Sequence, residues 1–253
     1  MLPKEHGAYG QLLFPLVTAL AVGRRTVPAL LLAAGAVLAF LAHEPLLVLL
    51  GQRGARAARE QRPRAIAWLA FTAFAAGVLA VAALLTASPN VRADAIAPAI
   101  LAALLAVVIA TGREHTAAGE ILASVAFGSL AYPVARFAGA SSHAALSCAS
   151  LFCAMFVAST ICVRAVIQHT RRPPAAVARA AAVLVALGAI GLLRSMAAHG
   201  LVSSIAPIAA LPICIVTALA ALIAPRATHL RALGWTLVAT TTLGALGIAA
   251  ILG

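Results

Sequence analysis

The chain has 253 residues, of which 64% are hydrophobic and 9% are charged, and its mean hydropathy is +1.07. A soluble globular domain is about half apolar and about one quarter charged, because its surface faces water. The composition therefore excludes a soluble fold and predicts a surface that faces lipid. The net charge of +12 would suggest nucleic acid on a soluble protein, but on a membrane protein it is typical of cytoplasmic loops, so we expect no nucleic-acid partner.

Apolar segments near the ~20 residues needed to cross a bilayer follow one another along the whole chain. Glycine, proline and clusters of charge separate them, which predicts nine transmembrane helices. The predicted helices cover residues 8–23, 27–51, 64–87, 94–111, 118–138, 142–167, 176–198, 202–224 and 231–252. Helices are predicted because backbone polar groups in lipid need internal partners and no segment alternates like a barrel strand. Residues 1–253 thus form a single all-α integral membrane domain.

Basic residues are unequally divided between the two sides of the predicted bundle. The N-terminus and the loops after even-numbered helices carry eleven, whereas the opposite loops and helix ends carry five. Because cytoplasmic loops are enriched in Lys and Arg, the N-terminus is predicted to be cytoplasmic and the C-terminus to lie outside. We expect a multi-pass protein of the cell inner (cytoplasmic) membrane, in contact with membrane lipids.

The four cysteines, Cys148, Cys153, Cys162 and Cys214, lie within apolar segments and have no CxxC spacing. This pattern predicts small core residues, and it supports neither a disulfide framework nor a zinc site. No spacing of histidine and acidic residues matches a metal motif, so no metal ligand is assigned.

Ionisable residues inside the predicted spans are the first candidates for function, because a charge in lipid is costly unless it is paired or reaches water. His43 and Glu44 lie near the cytoplasmic end of the second predicted helix, where Pro45 frees a backbone carbonyl one turn earlier. This pattern favours a polar pocket with His43 and Glu44 as catalytic residues. The alternative is that Glu44 forms a structural ion pair.

Glu120 opens the fifth predicted helix and shares one helical face with Ser124 and Phe127. Its position favours a third catalytic residue that faces the same cytoplasmic cavity as Glu44. The alternative is that Glu120 only complements the helix dipole, since acidic residues stabilise helix N-termini.

A polar stripe on the sixth predicted helix consists of Thr160, Arg164 and Gln168, at four-residue intervals. It ends at His169, Arg171 and Arg172. A planar guanidinium binds phosphate or carboxylate through two parallel hydrogen bonds. Arg164, His169, Arg171 and Arg172 are therefore predicted to bind an anionic substrate. The alternative is that Arg164 extends to the membrane surface without a specific partner.

Glu5 and His6 lie at the mouth of the first predicted helix, on the same cytoplasmic side. They are included among the substrate-binding candidates, because an acid and an imidazole there could hold a divalent ion or shuttle a proton. As part of a helix start they are ordinary, since Glu favours the first turn.

The opening residues 4–9 (LysGluHisGlyAlaTyr) and 12–16 (LeuLeuPheProLeu) resemble the start of the bacterial YwiC-like membrane protein family. The segments 119–123 and 233–234 also resemble that family. The resemblance spans most of the chain, and the first motif is its specific part. It implies a bacterial membrane protein and implies no particular activity.

A wider resemblance is to the UbiA superfamily of intramembrane prenyltransferases, whose bundle has nine helices and a cytoplasmic N-terminus. In that superfamily, aspartate-rich motifs after helices 2 and 6 hold Mg²⁺ and a prenyl diphosphate beside a tunnel that opens to lipid. His43 and Glu44 stand where the superfamily has Asn-Asp, and Arg62-Pro63 resembles its Arg-Pro. The resemblance implies a UbiA-like bundle that binds an isoprenoid or another amphipathic small molecule.

The acidic residues depart from the UbiA pattern. Between Glu44 and Arg64 the only acid is Glu60, and residues 168–179 contain none. Because Mg²⁺ is held by carboxylate and other hard oxygens in octahedral geometry, Mg²⁺ is disfavoured here and the cofactor is left unknown.

These patterns together predict a membrane protein that binds an isoprenoid or lipid with an anionic head at a cytoplasmic-side cavity. Whether it also catalyses a prenyl transfer is left open. One alternative is a small transporter, in which Glu44, Glu120 and Arg164 bind substrate or couple protons. Another is a non-catalytic accessory subunit of a membrane complex, in which these charges are structural.

Overall fold

The computed structural model describes residues 6–172 and 174–253, which are helical apart from short connections. Eight helical segments there are long and apolar enough to cross a membrane. They are Val27–Leu49, Arg62–Thr86, Pro89–Ala110, Ala117–Phe137, Ser142–Arg171, Ala176–Ala198, Ile205–Ile223 and Leu230–Leu252. A ninth apolar segment, Gly7–Val22, is shorter. The prediction of an all-α, multi-pass membrane protein is confirmed, and nine crossings with a cytoplasmic N-terminus stay predictions.

Some of these segments consist of more than one helix. In chain order the helices are α1 (His6–Val22), α2 (Val27–Leu41), α3 (His43–Leu49), α4 (Ala55–Glu60), α5 (Arg62–Thr86), α6 (Pro89–Arg92), α7 (Ile96–Ala110), α8 (Ala117–Ser129), α9 (Ala131–Phe137), α10 (Ser142–Arg171), α11 (Ala176–Ala198), α12 (Ile205–Ile223) and α13 (Leu230–Leu252). Short 3₁₀ turns, Ala93–Ala95 and Ala227–His229, precede α7 and α13.

The breaks inside three predicted spans have a common cause. Pro45, Pro98 and Pro133 are each the third residue of a helix, namely α3, α7 and α9. Proline has no N–H to bond the carbonyl four residues earlier, but a helix tolerates it in the first turn, where that N–H has no partner within the helix. These three predicted spans divide just before the proline, whereas α1 and α12 continue through Pro15 and Pro212.

The long helix α10 lies at the centre of the bundle, in contact with α8, α9, α11 and α12. Its side chains Leu151, Phe152 and Met155 are completely buried. The helices α5 and α7 have few buried residues, and large side chains such as Phe74 are exposed on them. In a bilayer these surfaces face lipid, as the composition predicts.

The two ends of the bundle can be told apart by which loops meet there. The end of α1 lies against the end of α9, where the N–H of Arg24 donates to the carbonyl of Ala138 at 2.7 Å. Arg136 and Asp94 form an ion pair at this same end, at 2.9 Å. The other end carries residues 50–61, 111–116 and 224–229, and is called the basic face below.

Candidate functional site

Gln52 joins its loop on the basic face to the end of α7, because its side-chain amide donates to the carbonyl of Ile109 at 2.8 Å. The same carbonyl also accepts from the N–H of Gly112 at 3.0 Å, so Gln52 adds a second hydrogen bond at this helix end. The contact places Arg53 beside Glu44, where Nε donates to Oε1 at 3.0 Å and Nη2 donates to Oε2 at 2.6 Å. Glu44 is only 5% exposed, so its buried charge is compensated by a bidentate ion pair.

The carboxylate of Glu114 lies between two imidazoles. Its Oε2 is 3.3 Å from Nε2 of His43, and its Oε1 is 3.3 Å from Nε2 of His115. The side chain of Glu114 is 11% exposed and that of His115 is 71% exposed, so this group reaches from the protein interior to the surface. Because His43 directly precedes Glu44, the two ion-paired groups are neighbours.

Arg164 is held between α8 and α10. Its Nη1 lies 2.7 Å from Oε2 of Glu120 and donates to the carbonyl of His115 at 3.1 Å. One turn deeper in both helices, the hydroxyls of Ser124 and Thr160 form a 2.8 Å hydrogen bond. The Glu120–Arg164 and Ser124–Thr160 contacts together show that α8 and α10 run antiparallel in close contact. The contacts with Glu120 and the His115 carbonyl orient the guanidinium of Arg164.

The loop before α8 reaches this position because of local sequence. Thr116 caps α8, its hydroxyl accepting from the N–H of Gly119 at 3.1 Å, as expected of an N-cap threonine. A Cβ on Gly119 would lie 2.4 Å from the carbonyl oxygen of Arg113 and 2.8 Å from that of Glu114. Glycine is thus required for the loop to fold back onto the helix and to present Glu114 and the His115 carbonyl.

An open cleft of about 540 Å³ lies between α10 and the start of α11. Arg164 and Gln168 contribute its polar groups, while Ile161, Ala178 and Ala181 contribute to an apolar wall. The cleft therefore combines a charged group near the basic face with a surface suited to a hydrocarbon chain.

The structure brings His43, Glu44, Glu120 and Arg164 to one end of the bundle. Each of them is part of an ion pair: His43 with Glu114, Glu44 with Arg53, and Glu120 with Arg164. The carboxylates of Glu44 and Glu120 are both paired with arginine. For Glu44, an ion pair is what the structural alternative predicted. The catalytic roles of His43, Glu44 and Glu120 stay predictions, as does the substrate-binding role of Arg164.

The remaining predicted residues are not part of these contacts. His169 is hydrogen-bonded through Nδ1 to a backbone carbonyl of the following turn at 3.2 Å. Arg171 and Arg172 are exposed at the end of α10, and neither lines the cleft. Glu5 and the side chain of His6 lie outside the described residues. Their predicted roles in substrate binding stay predictions.

Sequence reasoning missed Arg53, Glu114 and His115 as members of the site. Arg53 was counted only as one of the loop arginines that set topology, and Glu114 and His115 lie in a short loop without periodicity. Their partners lie on other elements, so no local pattern marks them. The only available signal was the presence of an acid and a histidine next to a predicted span.

In the part of the chain that the structure describes, no group of three or more His, Cys, Asp and Glu residues could hold a metal ion. The four cysteines are free thiols within α10 and α12, and none belongs to the contacts above. The chemistry available at this end of the bundle is therefore that of arginine, carboxylate, imidazole and amide groups.

Comparison of the chain with curated proteins and with solved structures gives no match. The wider resemblance to the UbiA superfamily gains no support from it. The sequence model of the YwiC-like protein family matches residues 2–135, which include His43, Glu44 and Glu120 but not Arg164. Because this match covers more than half of the 253 residues, the chain belongs to the YwiC-like protein family.

Proposed function

We propose that this protein binds an amphipathic lipid or isoprenoid in the cleft between α10 and α11, in a bacterial inner membrane. The anionic head of the ligand lies at Arg164, and its chain lies along the apolar wall toward the bilayer. The proposal concerns binding, and prenyl transfer is not part of it.

The observation that carries this proposal is the composition of the cleft. Arg164 and Gln168 are four residues apart on α10 and therefore lie on the same face of that helix. The opposite wall consists largely of the small apolar residues at the start of α11, including Val177, Ala178 and Ala181. A site with few polar groups and an apolar remainder is typical of small-molecule sites, and its apolar wall suits a ligand with a hydrocarbon chain.

A UbiA-like scaffold stays part of the proposal, but the Mg²⁺ diphosphate chemistry of that superfamily does not fit the residues present. Both oxygens of Glu44 accept from Arg53, and one oxygen of Glu120 pairs with Arg164. Mg²⁺ requires several oxygen ligands in near-octahedral geometry, and these carboxylates are already engaged. Arginine side chains therefore supply the positive charge for the ligand in this proposal.

The test is to block the cleft and to measure lipids that remain bound during purification. Ala181 lines the cleft, whereas its neighbour Ala180 is exposed on a different face of α11. We expect Ala181→Trp to lose a lipid or isoprenoid that mass spectrometry detects in the unaltered protein, and Ala180→Trp to retain it. Equal retention by both variants, or no bound amphiphile in the unaltered protein, would contradict the proposal. Solute uptake into proteoliposomes in that case would favour the transporter alternative.

A further inference from the structure

Among the described residues, the guanidinium of Arg164 forms its contacts through one nitrogen, Nη1. Its Nη1 contacts both Glu120 and the carbonyl of His115. A guanidinium has five N–H groups in a planar fork, so Nε and Nη2 carry three more. Among the described residues, no acceptor is bonded to these two nitrogens. Arg164 is thus oriented through Nη1, and no described residue accepts a hydrogen bond from its Nε and Nη2 edge.

Arg53 shows what this edge of a guanidinium binds in the same protein. Its Nε and Nη2 donate to the two carboxylate oxygens of Glu44, at 3.0 and 2.6 Å. The arrangement is the bidentate pairing that arginine forms with planar or tetrahedral oxyanions. A ligand at the free edge of Arg164 would form the same pair if its head offers two oxygens on one atom.

The charge around Arg164 limits how much negative charge this head can carry. Glu120 already neutralises the guanidinium, so the pair has no net charge, and a second concentrated anion nearby would be repelled by the Glu120 carboxylate. Gln168, one turn along α10, lines the same cleft and offers an uncharged amide donor. These groups suit a head with one anionic group, a carboxylate or a phosphate monoester, better than a diphosphate, which carries more negative charge.

We propose that Arg164 recognises a single head group that offers two oxygens on one atom, a carboxylate or a phosphate monoester, through Nε and Nη2 and without a metal ion. Gln168 donates a further hydrogen bond to this head. The inference rests on the proposed function, since it assumes that an amphiphile occupies the cleft, and it adds the chemical class of the head.

The first test changes the head of the ligand. Purified protein in a neutral detergent is titrated with oleic acid, methyl oleate, farnesyl monophosphate, farnesol, and farnesyl diphosphate with Mg²⁺ or with EDTA. We expect the acid or the monophosphate to bind at least about tenfold more tightly than its uncharged counterpart, because charge-assisted hydrogen bonds are lost in the latter. We also expect EDTA to leave the affinity for the preferred acid or monophosphate unchanged. The preferred anion identifies the head as a carboxylate or a phosphate.

The second test changes the guanidinium and its orienting partner. Arg164→Lys keeps the charge but removes the planar fork, so we expect affinity for the preferred anion to fall roughly tenfold to a hundredfold. Glu120→Gln keeps an oxygen acceptor for Nη1 and removes a negative charge, so we expect equal or tighter binding. Arg56→Lys, at an arginine whose side chain is 88% exposed, is the matched control and should bind as the unaltered protein does.

Different results separate the two proposals. Failure of every amphiphile to bind the unaltered protein would overturn the proposed function. Equal affinity for charged and uncharged heads, tightest binding of the diphosphate only with Mg²⁺, or full affinity in Arg164→Lys would overturn the head-group inference alone. Since the ligand comparison uses the unaltered protein, it decides the question even where a variant fails to fold.

Discussion

At the scale of single residues, an Arg–Glu ion pair contributes differently to stability when it is buried and when it is exposed. Arg53 and Glu44 form a bidentate pair in which the carboxylate is almost fully buried. Arg56 and Glu60 also pair, at 2.8 Å, but their side chains are 88% and 59% exposed. An exposed pair contributes little because water solvates both partners, whereas a buried charge that loses its partner is strongly destabilising.

We therefore expect Arg53→Ala to lower the free energy of unfolding by about 3 kcal/mol, because it leaves Glu44 charged and buried without this bidentate partner. Arg56→Ala is the matched control and should change stability by less than the error of the measurement. Unfolding by SDS titration in mixed micelles measures both variants. Equal and small effects would show that the Glu44 carboxylate does not depend on Arg53.

At the scale of helices, the site depends on the close approach of α8 and α10. A Cβ on Gly128 would lie 2.6 Å from the backbone nitrogen of Cys153 and 2.9 Å from its Cα, and backbone atoms cannot yield as a flexible side chain can. Small residues allow such approaches between membrane helices, where packing and hydrogen bonds drive association. The same approach allows the bridges from Ser124 to Thr160 and from Glu120 to Arg164.

We expect Gly128→Ala to destabilise the protein by about 1 to 3 kcal/mol, because the added methyl group must push α8 and α10 apart. Gly188→Ala on α11 is the control, since a Cβ there meets nothing within 4 Å, and it should be neutral or slightly stabilising. Thermal unfolding in detergent compares the two variants. A neutral effect at Gly128 would mean that the helices can separate without cost.

At the scale of the whole molecule, the number of crossings depends on α1, which has 17 residues and is shorter than the other spanning segments. Its residues Leu12, Leu16 and Ala19 are at most 3% exposed, so one face of α1 packs against other helices, while Leu13 and Val17 on another face are exposed. Its end lies beside Ala138, and a Cβ at the C-terminal Gly253 would lie 2.6 Å from the carbonyl oxygen of Ala21. The ends of α1, α9 and α13 thus meet at one end of the bundle, as nine alternating crossings require.

Reporter fusions before His6 and after Gly253 should therefore report opposite sides of the membrane, with the N-terminal one in the cytoplasm. The physical reason for the orientation is the excess of arginine on the basic face. A third fusion within residues 50–61 serves as a control and should report the same side as the N-terminus. Two termini on the same side would show that α1 does not cross.

The sequence by itself determined that the chain is a series of apolar, helical segments long enough to be candidate membrane spans. Lipid offers no partners for backbone groups or charges, so every span must be apolar and helical, and this local requirement can be read residue by residue. It also marked His43, Glu44, Glu120 and Arg164 as costly charges in need of partners. The division of spans before Pro45, Pro98 and Pro133 could not be read from proline alone, because α1 and α12 continue through Pro15 and Pro212.

Only the tertiary structure decided which partners those charges have. Arg53 meets Glu44 because Gln52 joins its loop to the end of α7, and the His115 carbonyl meets Arg164 because Gly119 lets a loop fold back onto α8. Arg53 and Glu44 are only nine positions apart, but the Gln52–Ile109 and His115–Arg164 contacts join residues 57 and 49 positions apart. These contacts depend on how the helices pack and on the absence of a Cβ at Gly119. The same packing decides which nitrogens of Arg164 have partners. The distances between α8, α10 and α11 set the position of the guanidinium relative to Glu120 and the cleft, and they leave Nε and Nη2 without a bonded acceptor among the described residues.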